Sequence, residues 1–186
     1  VLLVVDGVRM NNAIYRSGNV QNVISIDALS IETAEVVFGP GSLVYGSDAI
    51  GGVMDFHSLE ATLNTDSTKR QAAKGSGIIR YSTANQEKTF HADFSTGTKK
   101  WAYMGSVSYS SFNDLKMGRY NGHQGYQRPE YVQRISNVDS IIKNSNPRMQ
   151  IFSGYNQLNT VQKLRFKPSK GFDLQYAFYY SGTGTA

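Results

Sequence analysis

Apolar residues follow two different patterns along this chain. Over residues 1–58 they come in short clusters: Val1-Leu2-Leu3-Val4-Val5, Val8-Arg9-Met10, Val36-Val37-Phe38 and Val53-Met54-Asp55-Phe56. The unbroken first run, stopped by Asp6-Gly7, predicts a strand buried on both faces, continued by Val8-Arg9-Met10 after a turn or bulge. Val20, Val23 and Ile24 predict a short helix within 20–29. Residues 31–38 predict a strand with Ile31 and the Val36-Val37-Phe38 cluster facing inward. From residue 75 onward, apolar and polar residues alternate. Trp101, Tyr103, Val107 and Tyr109 share one face of a run, and Ala102, Ser106, Ser108 and Ser110 the other. Phe172, Leu174, Tyr176, Phe178 and Tyr180 stand at strict i+2 spacing, as strands with two different faces require. Residues 79–83 and 90–94 repeat the alternation. Residues 59–74, LEATLNTDSTKRQAAK, have neither pattern and predict a linker.

The connections between the alternating runs are unequal. Residues 85–88, 98–100 and 168–171 are short, whereas 113–155 is long, polar and dotted with tyrosines. In an up-and-down membrane barrel the inner turns are short and the outer loops can be long. With the first alternating strand leaving the inner side, 98–100 and 168–171 fall on that side and the long segment falls outside.

Residues 35–56, EVVFGPGSLVYGSDAIGGVMDF, read as strand, tight turn, short helix, tight turn, strand. Ser42 is the expected N-cap for one or two helical turns and Gly51 the expected stop. The glycines resemble a phosphate loop only superficially. A Walker-type cradle needs Lys-Ser/Thr after the last glycine, but here Gly46 is followed by Ser47-Asp48, and Asp repels phosphate.

GPGSLVYGSDAIGGV closely resembles the end of the plug domain of TonB-dependent outer-membrane receptors. VLLVVDGVRMNN and IETAEVVFGPGS resemble earlier plug segments. One position departs from the pattern. The family commonly has Arg before Gly-Pro, pairing with acidic groups of the barrel wall, and this chain has Phe38. The resemblance implies an α+β plug followed by antiparallel transmembrane β-barrel strands, a fragment of a barrel of about 22 strands. The expected boundaries are 1–58 for the later part of the plug, 59–74 for the linker and 75–186 for the first five or so barrel strands. The implied function is energy-coupled uptake of a scarce ligand, an iron–siderophore, haem or cobalamin, across a bacterial outer membrane. The implied partners are TonB, acting through a segment upstream of Val1, the ligand and outer-membrane lipid. The plug motif comprises Asp6, Gly7, Gly39, Pro40, Tyr45, Gly46, Asp48, Gly51 and Gly52. Arg9, Asn11, Asn12, Tyr15 and Arg16 are implied to face the ligand at the plug apex, and their donors and aromatic surface suit an exposed binding loop. Tyr120, His123, Tyr126 and Arg128 are candidates in the long outer loop, where Tyr and Arg supply binding energy more than other types.

Composition narrows the alternatives. The 186 residues hold no Cys, which excludes disulfides and thiolate metal sites, and the formal charge of +5 is scattered rather than blocked, which argues against nucleic acid. Twelve Tyr, nine Phe and 18 Gly suit strands joined by many turns. No apolar run approaches the roughly 20 residues of a membrane helix, but a barrel strand needs only about 9–11. His57, His91 and His123 lack partners at metal spacing. His123 is the one residue in position to ligate haem, and an ordinary loop histidine is the simpler account. His91 is expected to face the lumen or solvent. No catalytic set is visible, so neither an enzyme nor a bound cofactor is expected. The remaining alternative is a surface-binding or adhesion protein, a β-sheet with a small α/β appendage. The chain reads as a piece of a longer polypeptide.

Overall fold

The computed structural model describes residues 2–10, 23, 25–39, 42–46, 49–64, 72–118 and 127–185. It contains two compact units. The first comprises Val1–Gly77, His91–Ser108 and Asn159–Gly182, and the second Ile78–Phe90, Tyr109–Leu158 and Thr183–Ala186.

The first unit opens with a four-stranded sheet of β1 (Leu2–Val5), β2 (Val8–Arg9), β3 (Ile31–Val37) and β4 (Val53–Ser58), in the order β2-β1-β4-β3. β1 lies between β2 and β4, parallel to β4, with Leu2 opposite Val53 and Val4 opposite Asp55. All four β1 residues are buried, as an unbroken apolar run requires of a central strand. Asp6 and Gly7 both have positive φ, 48° and 78°, the left-handed pair of a two-residue hairpin turn between β1 and β2. Leu2, Val4, Ala49 and Val53 form a core against which Tyr45 packs.

Two expectations in this sheet are corrected. Val36, Val37 and Phe38 do not face inward. They are 49%, 40% and 90% exposed, because β3 is an edge strand bonded only to β4. The helix is a single turn, Ser42–Tyr45, and stops at Gly46 rather than Gly51. Gly46 takes φ +88°, the left-handed conformation that ends helices. Of the short helix expected within 20–29, Val23 is described and is helical, Val20 and Ile24 lie outside the described residues, and a 3-10 turn, Ala28–Ser30, capped by Asp27, follows.

The long strands begin with β5 (Ala72–Ser82), three residues before the expected start, followed by β6 (Glu87–Gly97) and β7 (Trp101–Phe112). Four shorter strands follow: β8 (Leu115–Lys116), β9 (Glu130–Ile135), β10 (Val138–Lys143) and β11 (Met149–Gln150). The last two are long, β12 (Tyr155–Ser169) and β13 (Phe172–Thr185). The five long strands form one sheet in the order β5-β6-β7-β12-β13, an up-and-down arrangement with two open edges. Alternation is obeyed in β7, whereas the outermost strands β5 and β13 are exposed on both faces. Ala102, Met104, Ser106 and Ser108 of β7 are buried, while Trp101, Tyr103, Val107 and Tyr109 are exposed.

Residues 59–64 lie on this sheet rather than hanging free. Ala61 is buried with Ala102, Met104 and Val161, and Leu59 and Leu63 pack against the cluster. The Asn64 amide donates to the Thr98 carbonyl at 3.0 Å. A Cβ on Gly97 would fall 2.3 Å from the Thr62 carbonyl oxygen, so the chain passes over β6 at a distance only glycine permits.

In the second unit β9 and β10 form a hairpin, turning at Ser136 and Asn137 with φ 49° and 66°. β8 pairs with β11. Asp114 accepts from the Ser153 and Gly154 amides at 2.9 and 3.1 Å. The described part of the long connection is therefore built structure with its own register. Among the described residues no helix is long and apolar enough to cross a membrane.

Candidate functional site

Within the first unit, the small sheet meets the inward face of the long strands through two clusters of hydrogen bonds. The hairpin turn presents Asp6 to the first. Its carboxylate accepts from the Ser58 amide at 2.9 Å, the Ser58 hydroxyl at 2.6 Å, Lys163 Nζ at 2.9 Å and the Tyr179 hydroxyl. Lys163 also donates to the Ser58 carbonyl at 3.3 Å. Burial alone pushes the Asp6 carboxyl up, but the donors from Ser58, Tyr179 and Lys163 outweigh it and hold the group below the usual aspartate value.

Asp27 organises the second cluster. It accepts from the Leu29 amide at 3.1 Å, the Ser30 hydroxyl at 2.5 Å and the Ser108 hydroxyl at 2.6 Å. Each hydroxyl has one proton. Ser30 gives its own to Asp27, so Ser106, 2.9 Å away, donates to Ser30. Ser108 likewise gives its proton to Asp27, so His91 Nδ1, at 2.6 Å, donates to Ser108. His91 is 1% exposed, and its Nε2 lies 3.5 Å from Asp93, a carboxylate that accepts from the Ser76 hydroxyl. His91 is thus buried against the Asp27 cluster rather than exposed to solvent.

At these two clusters the small sheet is joined to the long-stranded sheet by bonds that water can replace. Around them runs a cavity of about 740 Å³, lined by Val5, Met10 and Ile31 from one side and Val161 and Tyr180 from the other. Residues 59–64 add apolar contacts to the long strands through Leu59, Ala61 and Leu63. Separating the small sheet from β7, β12 and β13 at these clusters exchanges protein hydrogen bonds for water, at a modest net cost per bond.

The expected ligand residues are only partly described. Asn11, Asn12, Tyr15, Arg16, Tyr120, His123 and Tyr126 lie outside the described residues, as do Pro40 and Asp48 of the motif. Arg9 is an exposed residue at the end of β2, in the first unit. Arg128 is exposed in the second unit, where its amide donates to the Pro147 carbonyl at 2.7 Å and its carbonyl accepts from Asn144. Of the motif, Asp6 and Gly7 make the hairpin turn, and Gly39, Gly46 and Gly52 take φ +87°, +88° and +109°. Gly51 lies in the turn before β4. Tyr45 packs on the core and its hydroxyl donates to Asp55 at 3.4 Å. Asp27, Ser30, Ser58, Lys163 and Tyr179 were not among the sequence candidates. The one sequence signal for their surroundings is the row of small polar residues, Ser106, Ser108 and Ser110, on the inward face of β7. Among the described residues no group of three or more acidic or histidine side chains could hold a metal.

Comparison with known proteins matches residues 1–53 to the TonB-dependent Receptor Plug Domain. A vitamin B12 transporter BtuB of Vibrio vulnificus strain YJ016 is 29% identical over 160 residues, covering 74% of this chain and 25% of that protein. A second BtuB, from strain CMCP6, is 37% identical over 97 residues, covering 52% and 13%. A hemin receptor of Yersinia pestis is 29% identical over 139 residues, covering 74% and 19%. The chain thus spans a quarter or less of the length of these relatives. The resemblance to TonB-dependent receptors is thereby borne out: the plug model matches residues 1–53, and receptor relatives align well past it, over 74% of the chain.

Proposed function

We propose that the chain is part of an energy-coupled importer of the bacterial outer membrane, with residues 1–58 as the later plug, 59–74 as the linker and 75–186 as the first barrel strands. The observation that carries this reading is the difference between two contacts. The plug meets the wall through exchangeable polar bonds at Asp6 and Asp27, while the linker is anchored by apolar packing. A plug that must shift to pass a ligand, yet stay attached, needs that division. The outward faces of the strands suit lipid. The row Phe172, Leu174, Tyr176, Phe178 and Tyr180 is exposed throughout, and Trp101 stacks on Phe166 with ring centroids 4.0 Å apart near the short turns. A 12-residue strand such as β7, tilted as in barrels, is long enough for an apolar band of about 25 Å.

In the complete protein, TonB pulls a segment upstream of Val1 and the plug rearranges. The ligand class favoured by the relatives is cobalamin or haem. An iron–siderophore is the third option from the sequence motif. The full-length receptor, expressed in a strain lacking its own cobalamin and haem receptors, is expected to restore growth on one of these compounds only when TonB is present. Growth without TonB, or on none of the three ligands, overturns the proposal.

A further inference from the structure

Asp55 stands in the middle of β4 with 7% of its surface exposed. Its Oδ1 is buried without any hydrogen-bond partner. Its Oδ2 has only the Tyr45 hydroxyl at 3.4 Å and His57 Nε2 at 3.9 Å. A buried carboxylate so poorly supplied with donors is costly unless a cation reaches it.

Asp55 lines a crevice of about 370 Å³ in the first unit, together with Asp6, His57, Glu60, Lys163 and Arg165. Both cations in this lining are already committed. Lys163 is bound to Asp6 at 2.9 Å, and Arg165 grips Asp173 with two bonds of 3.0 and 2.7 Å. Glu60 lies within electrostatic reach of Arg165, so the negative character left unmatched in the crevice is that of Asp55, with room for one further side chain.

We propose that in the whole receptor this crevice holds a guanidinium or ammonium group, carried by the receptor's own polypeptide outside the described residues and directed at Asp55. The source follows from when the cost arises. A buried carboxylate destabilises the folded protein at all times, so its compensating charge has to be present in the resting receptor. A transient partner arriving only during transport cannot supply it. The inference rests on reading this chain as part of a larger receptor, of which the present residues are a quarter or less of the relatives' length.

The test is the sign of a stability change in the purified full-length receptor. Asp55→Asn keeps the shape and removes the charge, and Asp55→Glu keeps the charge. With a cation in place, Asp55→Asn lowers the melting temperature or blocks insertion, while Asp55→Glu inserts and melts close to wild type. If the carboxylate is simply unpaired, Asp55→Asn leaves the melting temperature unchanged or raises it, which overturns the proposal. Failure of both variants to insert shows that shape rather than charge governs the position, and also overturns it. A loss seen in native membranes but absent from the purified receptor assigns the cation to another protein and rejects the own-chain source. Heat-modifiable migration of the wild-type protein checks the barrel reading separately, so failure of that reading is distinguishable from failure at Asp55.

Discussion

Replacing Asp6 by Asn in the full-length receptor tests whether the plug is held by hydrogen bonds. Asn has the same shape and tolerates the left-handed conformation at φ 48°, so the turn survives. What is lost is the negative charge facing Lys163 at 2.9 Å, and an amide NH₂ group now meets the donors of Ser58 and Tyr179. The Asp6 and Lys163 side chains are only 21% and 12% exposed, so water does little to offset the loss. Breaking a charge-assisted bond and stranding one buried donor costs about 2–4 kcal/mol. Plug opening should then be about 30-fold to 1,000-fold more frequent, at about 1.4 kcal/mol per factor of ten. Amide hydrogen exchange over β1 and β4 reads this directly, with the Ser58 amide as the most sensitive reporter.

The wild-type protein supplies a pH control. The folded-state pKa of Asp6 lies below its unfolded value, so the stabilisation is complete above the ordinary aspartate range, near pH 4, and is lost as pH falls through the folded value. Wild-type opening should approach that of the variant only in acid, and the variant should lack the corresponding step. Exchange in Asp6→Asn within twofold of wild type at pH 7 would refute the idea that this cluster holds the plug.

Three further outcomes are expected. Gly97→Ala places a Cβ 2.3 Å from the Thr62 carbonyl oxygen and should reduce the yield of folded receptor, read as heat-modifiable protein; wild-type yield would mean that the linker does not lie on β6 in the intact protein. Spin labels at Phe172, Leu174, Tyr176, Phe178 and Tyr180 should be accessible to oxygen and shielded from a water-soluble nickel complex, with Gln175 and Ala177 protected from lipid; water accessibility along the outward row removes the lipid assignment. Replacing Tyr15 and Arg16 together by Ala should weaken ligand binding at least several-fold with the melting curve unchanged, and equal affinity counts against the apical loop.

Several parts of this architecture were legible in the residues alone, for local reasons. Val1 to Val5 has too many consecutive apolar side chains for a strand with a wet face, and β1 is central. The i+2 row of β13 reads as a strand and β13 is one, although at the open end of the sheet both of its faces are exposed. Asp6-Gly7 and Gly46 mark positive φ by residue type. Val36-Val37-Phe38 was misread because an apolar run shows that a segment can be buried, whereas burial also needs neighbours on both sides. Sheet order supplies those neighbours, and β3 lies at an edge.

The seam between the small sheet and the long strands lay beyond sequence reasoning. Asp6 and Lys163 are far apart along the chain, and so are Asp27 and Ser108; nothing in either local pattern pairs a turn aspartate with a particular strand. The row of small polar residues on β7 announced an inward face that was not an ordinary apolar core, but it did not name what would bond there. Asp55 reads from sequence as one polar residue in an apolar strand, and only its position beside Val4, with one oxygen left unmatched, gives it an electrostatic demand.

Periodicity, turn chemistry and the plug motif together determined the kind of protein, because they depend on neighbours within a few positions. Which charges meet, which edge stays open and which contacts can exchange with water were decided by tertiary structure, because those depend on residues that only the folded backbone brings within hydrogen-bonding distance.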